Sequence, residues 1–362
     1  MRDILKQKYP AKDHISRIIS HIKTSSPSLP IANSLIYLEG TPSRPYPDSD
    51  LEVPFRQSRY FYYVTGCNAA DCAYSYDVAS GKSTLYIPSP PDERTLIFNG
   101  PGLTAADAKA LYDVDEVQVV SNLSVHLYAL ATSSSSTKML LTLGTLRNPL
   151  ALGIAQPSTP LLKAAFDFCR IAKDAYEIEA IREANRVSGF AHLAVMRAAS
   201  KARNERQLKA VFVAECITHG LDGDGTSDGQ AYGAIIAAGT AGATLHYMRD
   251  NQTITADMLN ILVDASGEYN CYASDITRTF PISGAFDERS KEIYALVLKM
   301  QKTCIGMLKA GVDYAYDVTD VAHDIMVQGL LHLGILVGRK EDIIKAGVDY
   351  LFLPHGLGHY IG

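Results

Sequence analysis

Over the first 170 residues or so, short apolar runs alternate with amphipathic stretches, the pattern of an α/β domain. Ser34 to Leu38 (SLIYL) predicts a strand closed by Glu39-Gly40. Arg59 to Thr65 (RYFYYVT) is aromatic and β-prone and ends at Gly66, and Ser83 to Ile87 predicts a further strand stopped by PSPPDE. The helical SNLSVHLYALA and the strand-like KMLLTL are separated by serines 133–136, whose composition predicts a surface loop. After LRNPLALGIAQPSTP (146–160), rich in proline, glycine and small residues, an amphipathic stretch runs from Lys163 to about Lys201. Its apolar positions, among them Ile178, Ile181, Ala184 and Val187, recur at three- and four-residue spacing. Another helix is predicted over Glu205 to His219, with Gly220 as its stop. The boundary falls near 160–170, giving an N-terminal α/β domain over 1–165 and a second domain over 166–362.

From Gly233 the pattern changes. AIIAAG, ATLHYM, LNILVDASG and YASDITRTFPIS are short β-prone runs separated by Gly, Asn and Asp, as in an antiparallel meander. Helical patterns follow over Glu288–Ala310 and Tyr314–Gly334, then the strand-like YLFLP and the segment HGLGHYIG. The second domain therefore reads as α+β.

Bulk properties exclude several function classes. A chain of 362 residues exceeds one ordinary core. With 47% hydrophobic and 20% charged residues it reads as soluble and globular. The net charge of −5 is spread without long runs of one sign, which argues against a nucleic-acid partner or an anionic membrane surface. The six cysteines form no C-x-x-C pair and read as buried thiols in a reducing compartment. The polar start MRDILKQKYPAKDH lacks a signal-peptide core, and no run of apolar residues is long enough to span a membrane. These features together predict a cytoplasmic protein.

Asp264, after NILV, and Asp275, before ITRTF, each sit in a strand-like run. Between them lie the turn-prone Ser266-Gly267 and Tyr269-Asn270, so a hairpin or bent strand pair could set the two carboxylates side by side. Such a pair repels unless a proton or a cation intervenes, and a divalent metal resolves the conflict. Spacing alone equally allows turn aspartates facing water. His355 and His359 stand four apart in PHGLGH, but the glycines between them argue against a helix and no glutamate follows the first, so the zinc-helix motif fails. The glycines suggest backbone packed against a ligand or another strand. His246, alone in TLHY, reads by itself as a core residue.

In order along the chain, His246, Asp264, Asp275 within VDASGEYNCYASDITRTFP, and PHGLGHYIG resemble the pita-bread metallopeptidases, specifically the aminopeptidase P and prolidase branch. RIAKDAYEIEAIREANRVSGFAH is similar to the opening of that family's catalytic domain, and PFRQSRYFYYVTG to the branch's N-terminal domain. The resemblance implies a pita-bread (creatinase/aminopeptidase-like) fold for the second domain. It implies that Asp264 chelates one metal, that Asp275 bridges two, and that His359 binds the other. It assigns His355 and His246 to the substrate pocket, where they help stabilise the tetrahedral intermediate. Two divalent cations are implied, and manganese fits this branch best, although affinity order alone does not exclude zinc or cobalt. The implied reaction is metal-assisted hydrolysis of the bond before a proline in second position, with a homodimer as the expected assembly.

Two departures from the pattern matter. Asp264-Ala265-Ser266 replaces the usual Asp-Ala-Gly, which crowds the turn. In the family the HGLGHYIG block leads on to a further histidine and two strands that bring glutamate ligands, one of them also the general base. The catalytic domain is therefore expected to be incomplete at its C-terminus, with apolar surface and a sheet edge uncovered, and the 362 residues to be inactive alone. Three functions stay open: an Xaa-Pro aminopeptidase, a strict Xaa-Pro dipeptidase (prolidase), and a binding module without catalysis, like the peptidase-like module of the FACT histone chaperone.

Overall fold

The computed structural model describes residues 2–133, 138–144, 146, 159–220 and 229–362. Most of the serine tract and of the 146–160 segment lies outside them. The N-terminal part comprises α1 (Ala11–Ser25), β1 (Ser34–Glu39), α2 (Arg59–Thr65), β2 (Ala73–Asp77), β3 (Lys82–Ile87), α3 (Glu93–Asn99), α4 (Ala105–Leu111), β4 (Glu116–Val119), α5 (Leu123–Thr132), β5 (Met139–Thr142) and α6 (Thr159–Cys169). Its strands form one sheet in the order β4-β3-β2-β1-β5. β2 runs antiparallel to both β1 and β3, while β4 and β5 join the two edges in parallel. Alternation along β1 feeds both faces: Ile36 and Leu38 pack with Ile15, Ile18, Ile22, Phe61 and Phe166. Leu35 and Tyr37 pack with Leu127 and Ala131 of α5. Helices cover both faces, so the central strands are almost wholly buried, while the edge strand β4 is half-buried.

The second part continues with α7 (Ala175–Ala198), α8 (Glu205–His219), β6 (Ile235–Ala238), β7 (Asn260–Asp264), β8 (Glu268–Tyr269), β9 (Tyr272–Ala273), β10 (Thr277–Pro281), α9 (Glu288–Met307), α10 (Thr319–His332) and α11 (Lys340–Lys345). β10, β7 and β6 form a three-stranded antiparallel sheet with Asp264 opposite both Ile235 and Thr277. Val187, Ala191 and Val195 of α7 and Phe212 of α8 pack on Ile236, Ile261 and Val263 of that sheet. The last three helices pack on one another through Met300, Cys304, Ala322, Met326 and Ile343. No helix among the described residues is long and apolar enough to cross a membrane.

Four sequence expectations differ from the structure. RYFYYVT is the helix α2 and not a strand. Ser58 caps it, Gly66 ends it in the left-handed region, and Phe61 to Thr65 are all buried, so burial on every side overrides aromatic β propensity. A Cβ at Gly66 would also stand 2.8 Å from Cβ of Tyr9. The amphipathic stretch from Lys163 is two helices, because Asp174 starts α7 with a capping box: its carboxylate accepts from the Glu177 N–H, and Glu177 accepts from the Asp174 N–H. ATLHYM (243–248) is a loop that leaves the 3-10 turn Gly239–Ala243. The buried Glu205 carboxylate accepts from Ala238 N (2.8 Å), Gln252 N (2.9 Å) and Tyr247 Oη (2.9 Å), which pulls the chain off the ladder at the end of β6. YLFLP contains a 3-10 turn over Val348–Leu351, where Asp349 accepts from His323 Nδ1 at 2.7 Å and Tyr350 and Leu351 face solvent.

Candidate metal centre

The carboxylate pair is set by strand register. Asp264 ends β7, and Asp275 lies two residues before Thr277, its cross-strand partner on β10. Between them the chain makes the short hairpin β8–β9, paired Glu268 to Ala273 and Tyr269 to Tyr272. Asn270 (φ 47°) and Cys271 (φ 61°) form its two-residue turn, the positive-φ pair of a type I′ hairpin. A hairpin thus returns the chain so that both aspartates stand at one end of the sheet.

They meet on a tyrosine. Tyr232 Oη donates to Asp264 Oδ1 at 2.6 Å and approaches Asp275 Oδ1 at 3.0 Å. Burial first, and then the Asp264 carboxylate, push this hydroxyl well above the usual phenol range, so it stays protonated. Ser266 lies beneath: its Oγ accepts from Ile276 N at 2.8 Å and sits 3.4 Å from Tyr232 Oη. The departure from Asp-Ala-Gly therefore supplies an acceptor that ties the two strands where a glycine would leave none.

His359 completes the group from the C-terminal segment. Its Nε2 lies 2.9 Å from Asp275 Oδ2, and its Nδ1 lies 2.9 Å from the Tyr360 carbonyl. Both ring nitrogens face acceptors, and its pKa is raised, first by the Tyr360 carbonyl and then by the nearby carboxylates, against partial burial. The imidazole is 69% exposed, against 36% for the Asp275 side chain. His355 is also exposed, with Nδ1 2.8 Å from the Gly356 carbonyl, and His246 is exposed on the turn after Gly239–Ala243.

The structure thus brings Asp264, Asp275 and His359 together and leaves His246 and His355 at the surface. Sequence reasoning missed Tyr232, a lone tyrosine before Gly233 that no motif marks. Two carboxylates share one phenolic proton here, leaving more acceptor lone pairs than donors, and that set of oxygens with one imidazole suits a hard or borderline divalent cation. A tighter cluster exists elsewhere. Among the described residues, the one group of three with all ligand atoms within 4.8 Å of one another is His14, Asp174 and Glu177. Its atoms are already committed: His14 contacts the Tyr63 carbonyl and Asp174 at 2.7 Å each, and Glu177 and Asp174 form the capping box. It is a packing device between α1 and α7.

Comparison with known proteins decides the family. The pattern of metallopeptidase family M24 matches residues 179–362, and that of the aminopeptidase P N-terminal domain matches residues 13–140. A probable Xaa-Pro aminopeptidase of Verticillium alfalfae is 45% identical over 359 residues, spanning 99% of this chain and 75% of its own length.

The chain belongs to metallopeptidase family M24.

Among solved structures, aminopeptidase P from Escherichia coli with the inhibitor Pro-Leu is similar with a TM-score of 0.80 and 25% identity, over 98% of this chain and 81% of that one. A zinc-substituted form of the E. coli protein in complex with product is similar at a TM-score of 0.78 and 25% identity, with the same coverage of 98% and 81%. The M24 member described here therefore has the two-part architecture expected of the branch: an aminopeptidase P-like N-terminal α/β domain and a pita-bread domain.

Proposed function

We propose that the protein is an Xaa-Pro aminopeptidase that uses two divalent cations, manganese fitting best, to hydrolyse the bond before a proline in second position. The convergence of Asp264 and Asp275 on Tyr232, with His359 on Asp275, carries this reading in a chain 45% identical to a probable Xaa-Pro aminopeptidase. Asp264 would chelate one cation, Asp275 bridge the pair, and His359 bind the other. When bound, the cations act as Lewis acids that polarise the scissile carbonyl and stabilise the charge growing on its oxygen. To act as a ligand, His359 would have to offer a nitrogen free of its proton, and Nε2, which faces Asp275, is the one that would be offered. Tyr232 donates to both carboxylates and would hold their orientation, while His246 and His355, both exposed, would meet a peptide from the solvent side. The bond before proline is a tertiary amide without an N–H, so recognition rests on the carbonyl and the ring.

The N-terminal domain is taken to end with α6, whose Phe166 and Cys169 pack in its core. A homodimer and a cytoplasmic location complete the reading, the latter supported by six cysteines buried as thiols. The test is hydrolysis by the protein at its native length, with manganese, of Xaa-Pro dipeptides and of longer Xaa-Pro peptides. Turnover of longer peptides supports the aminopeptidase, and turnover of dipeptides alone turns the reading to prolidase. With metal bound and neither cleaved, a binding module is left.

A further inference from the structure

We propose that Arg56 and Arg59, at the approach to α2 in the N-terminal domain, are positioning residues for the carboxylates of the metal centre. The inference rests on the metal-centre reading above. Glu268, the first residue of the β8–β9 hairpin, has a side chain only 2% exposed. Its Oε2 accepts a close hydrogen bond from Arg59 Nη2 and lies 3.4 Å from Arg56 Nη2. A carboxylate this buried needs cationic partners, and here they come from the other domain. Glu268 stands between the two ligand aspartates in the chain, four residues after Asp264 and seven before Asp275.

Arg56 also holds the backbone next to Tyr232. Its Nη2 donates to the Ala231 carbonyl at 2.5 Å, one residue before Tyr232. Ala231 N in turn donates to the Ser266 carbonyl at 2.8 Å. One short segment, Phe55 to Tyr60, thus grips both pieces of chain that carry Asp264, Asp275 and Tyr232. The segment is itself rigid. The buried Gln57 accepts from Thr41 N (2.8 Å) and Ser58 N (2.9 Å) and donates to the carbonyls of Cys67 (3.2 Å) and Ala69 (3.0 Å). Phe61 and Val64 then root α2 in the sheet core. The route runs from the N-terminal core through two guanidinium groups to the hairpin that sets the distance between the aspartates. Partners that orient metal ligands at one remove typically change metal affinity about 10- to 100-fold when lost.

The test is titration of the metal-free protein at its native length with Co²⁺, reading the dissociation constant and the d–d absorption band, with thermal unfolding of each apo variant alongside. Arg59→Met and Glu268→Gln are expected to weaken Co²⁺ binding roughly tenfold and to alter the band, with Arg59→Lys restoring part of both. Lys82→Met, remote on β3, should leave both unchanged. If Arg59→Met does not fold, Arg56→Met at a half-exposed position carries the test with the same expectation. Unchanged affinity and band in the variants, with only the melting temperature lowered, would overturn the positioning role and leave the metal centre standing. Failure of the unaltered protein to bind Co²⁺ would overturn the metal centre itself, and the proposal with it.

Discussion

The two halves of the candidate centre are held in different ways. Asp264 ends β7 and Asp275 stands two residues before Thr277, the cross-strand partner of Asp264; the two are joined through Tyr232 and braced by Ser266 and by a hairpin buried in the domain junction. His355 and His359 lie in a segment without regular structure, and each sets Nδ1 against the carbonyl of the very next residue. A cross-strand ladder fixes a side chain by contacts distant in sequence, whereas a bond to the next carbonyl fixes only a local turn. The acidic half is therefore preorganised, and the imidazole half is free to adjust to what it binds.

Four substitutions probe that contrast. Asp275→Asn removes the proposed bridge and is expected to abolish both metal binding and hydrolysis, measured by calorimetric titration and peptide assay; an active variant would falsify the assignment. His359→Ala should weaken metal binding less, because the cradle it leaves stays in register. Equal loss in the two variants would break the contrast. Tyr232→Phe should weaken metal binding by roughly tenfold, in the range seen when a ligand's hydrogen-bond partner is lost. Tighter binding in that variant would mean that its proton competes with the cation. The smallest effect at the centre is expected from Asp115→Asn, far off in the N-terminal domain, which should leave metal affinity unchanged. There burial opposes ionisation, but the Lys12 ammonium and the Ser83 N–H and hydroxyl outweigh it and hold the carboxyl down at about 2. A depressed carboxyl stabilises the fold above its unfolded pKa of about 4 and loses that contribution as pH falls toward 2. Acid unfolding should consequently be flatter below pH 4 in Asp115→Asn than in the unaltered protein, and less stability should remain at neutral pH.

What could be read from the sequence follows the same division. The aspartates were legible because strand periodicity and turn residues between them are local signals, and the register then does what alternation implies. The helix over Glu205–His219 and its glycine stop were legible for the same reason. RYFYYVT misled because its aromatics are buried from two sides, Phe61 against the sheet and Tyr62 against the domain junction, a long-range fact that no propensity encodes. ATLHYM misled because a glutamate thirty-odd residues earlier captures the backbone that a strand would use. Tyr232 left no trace, since its meaning exists only once two aspartates arrive beside it.

Glu177 carries a last consequence. This residue is 1% exposed and serves at once as the cap partner of Asp174, the acceptor for Tyr272 Oη at 3.2 Å, and the anion facing Arg17 at 3.5 Å. Because Tyr272 gives its proton to Glu177, it accepts from Tyr9 Oη at 2.7 Å, so the first turn of α7 is finished only when the two domains are docked. The N-terminal domain cannot melt away from the second without stripping the buried Glu177 carboxylate of its Arg17 partner. Heat should therefore unfold this two-domain chain in a single cooperative transition, with coincident signals from thiol exposure at Cys271 in the junction and Cys72 in the sheet core.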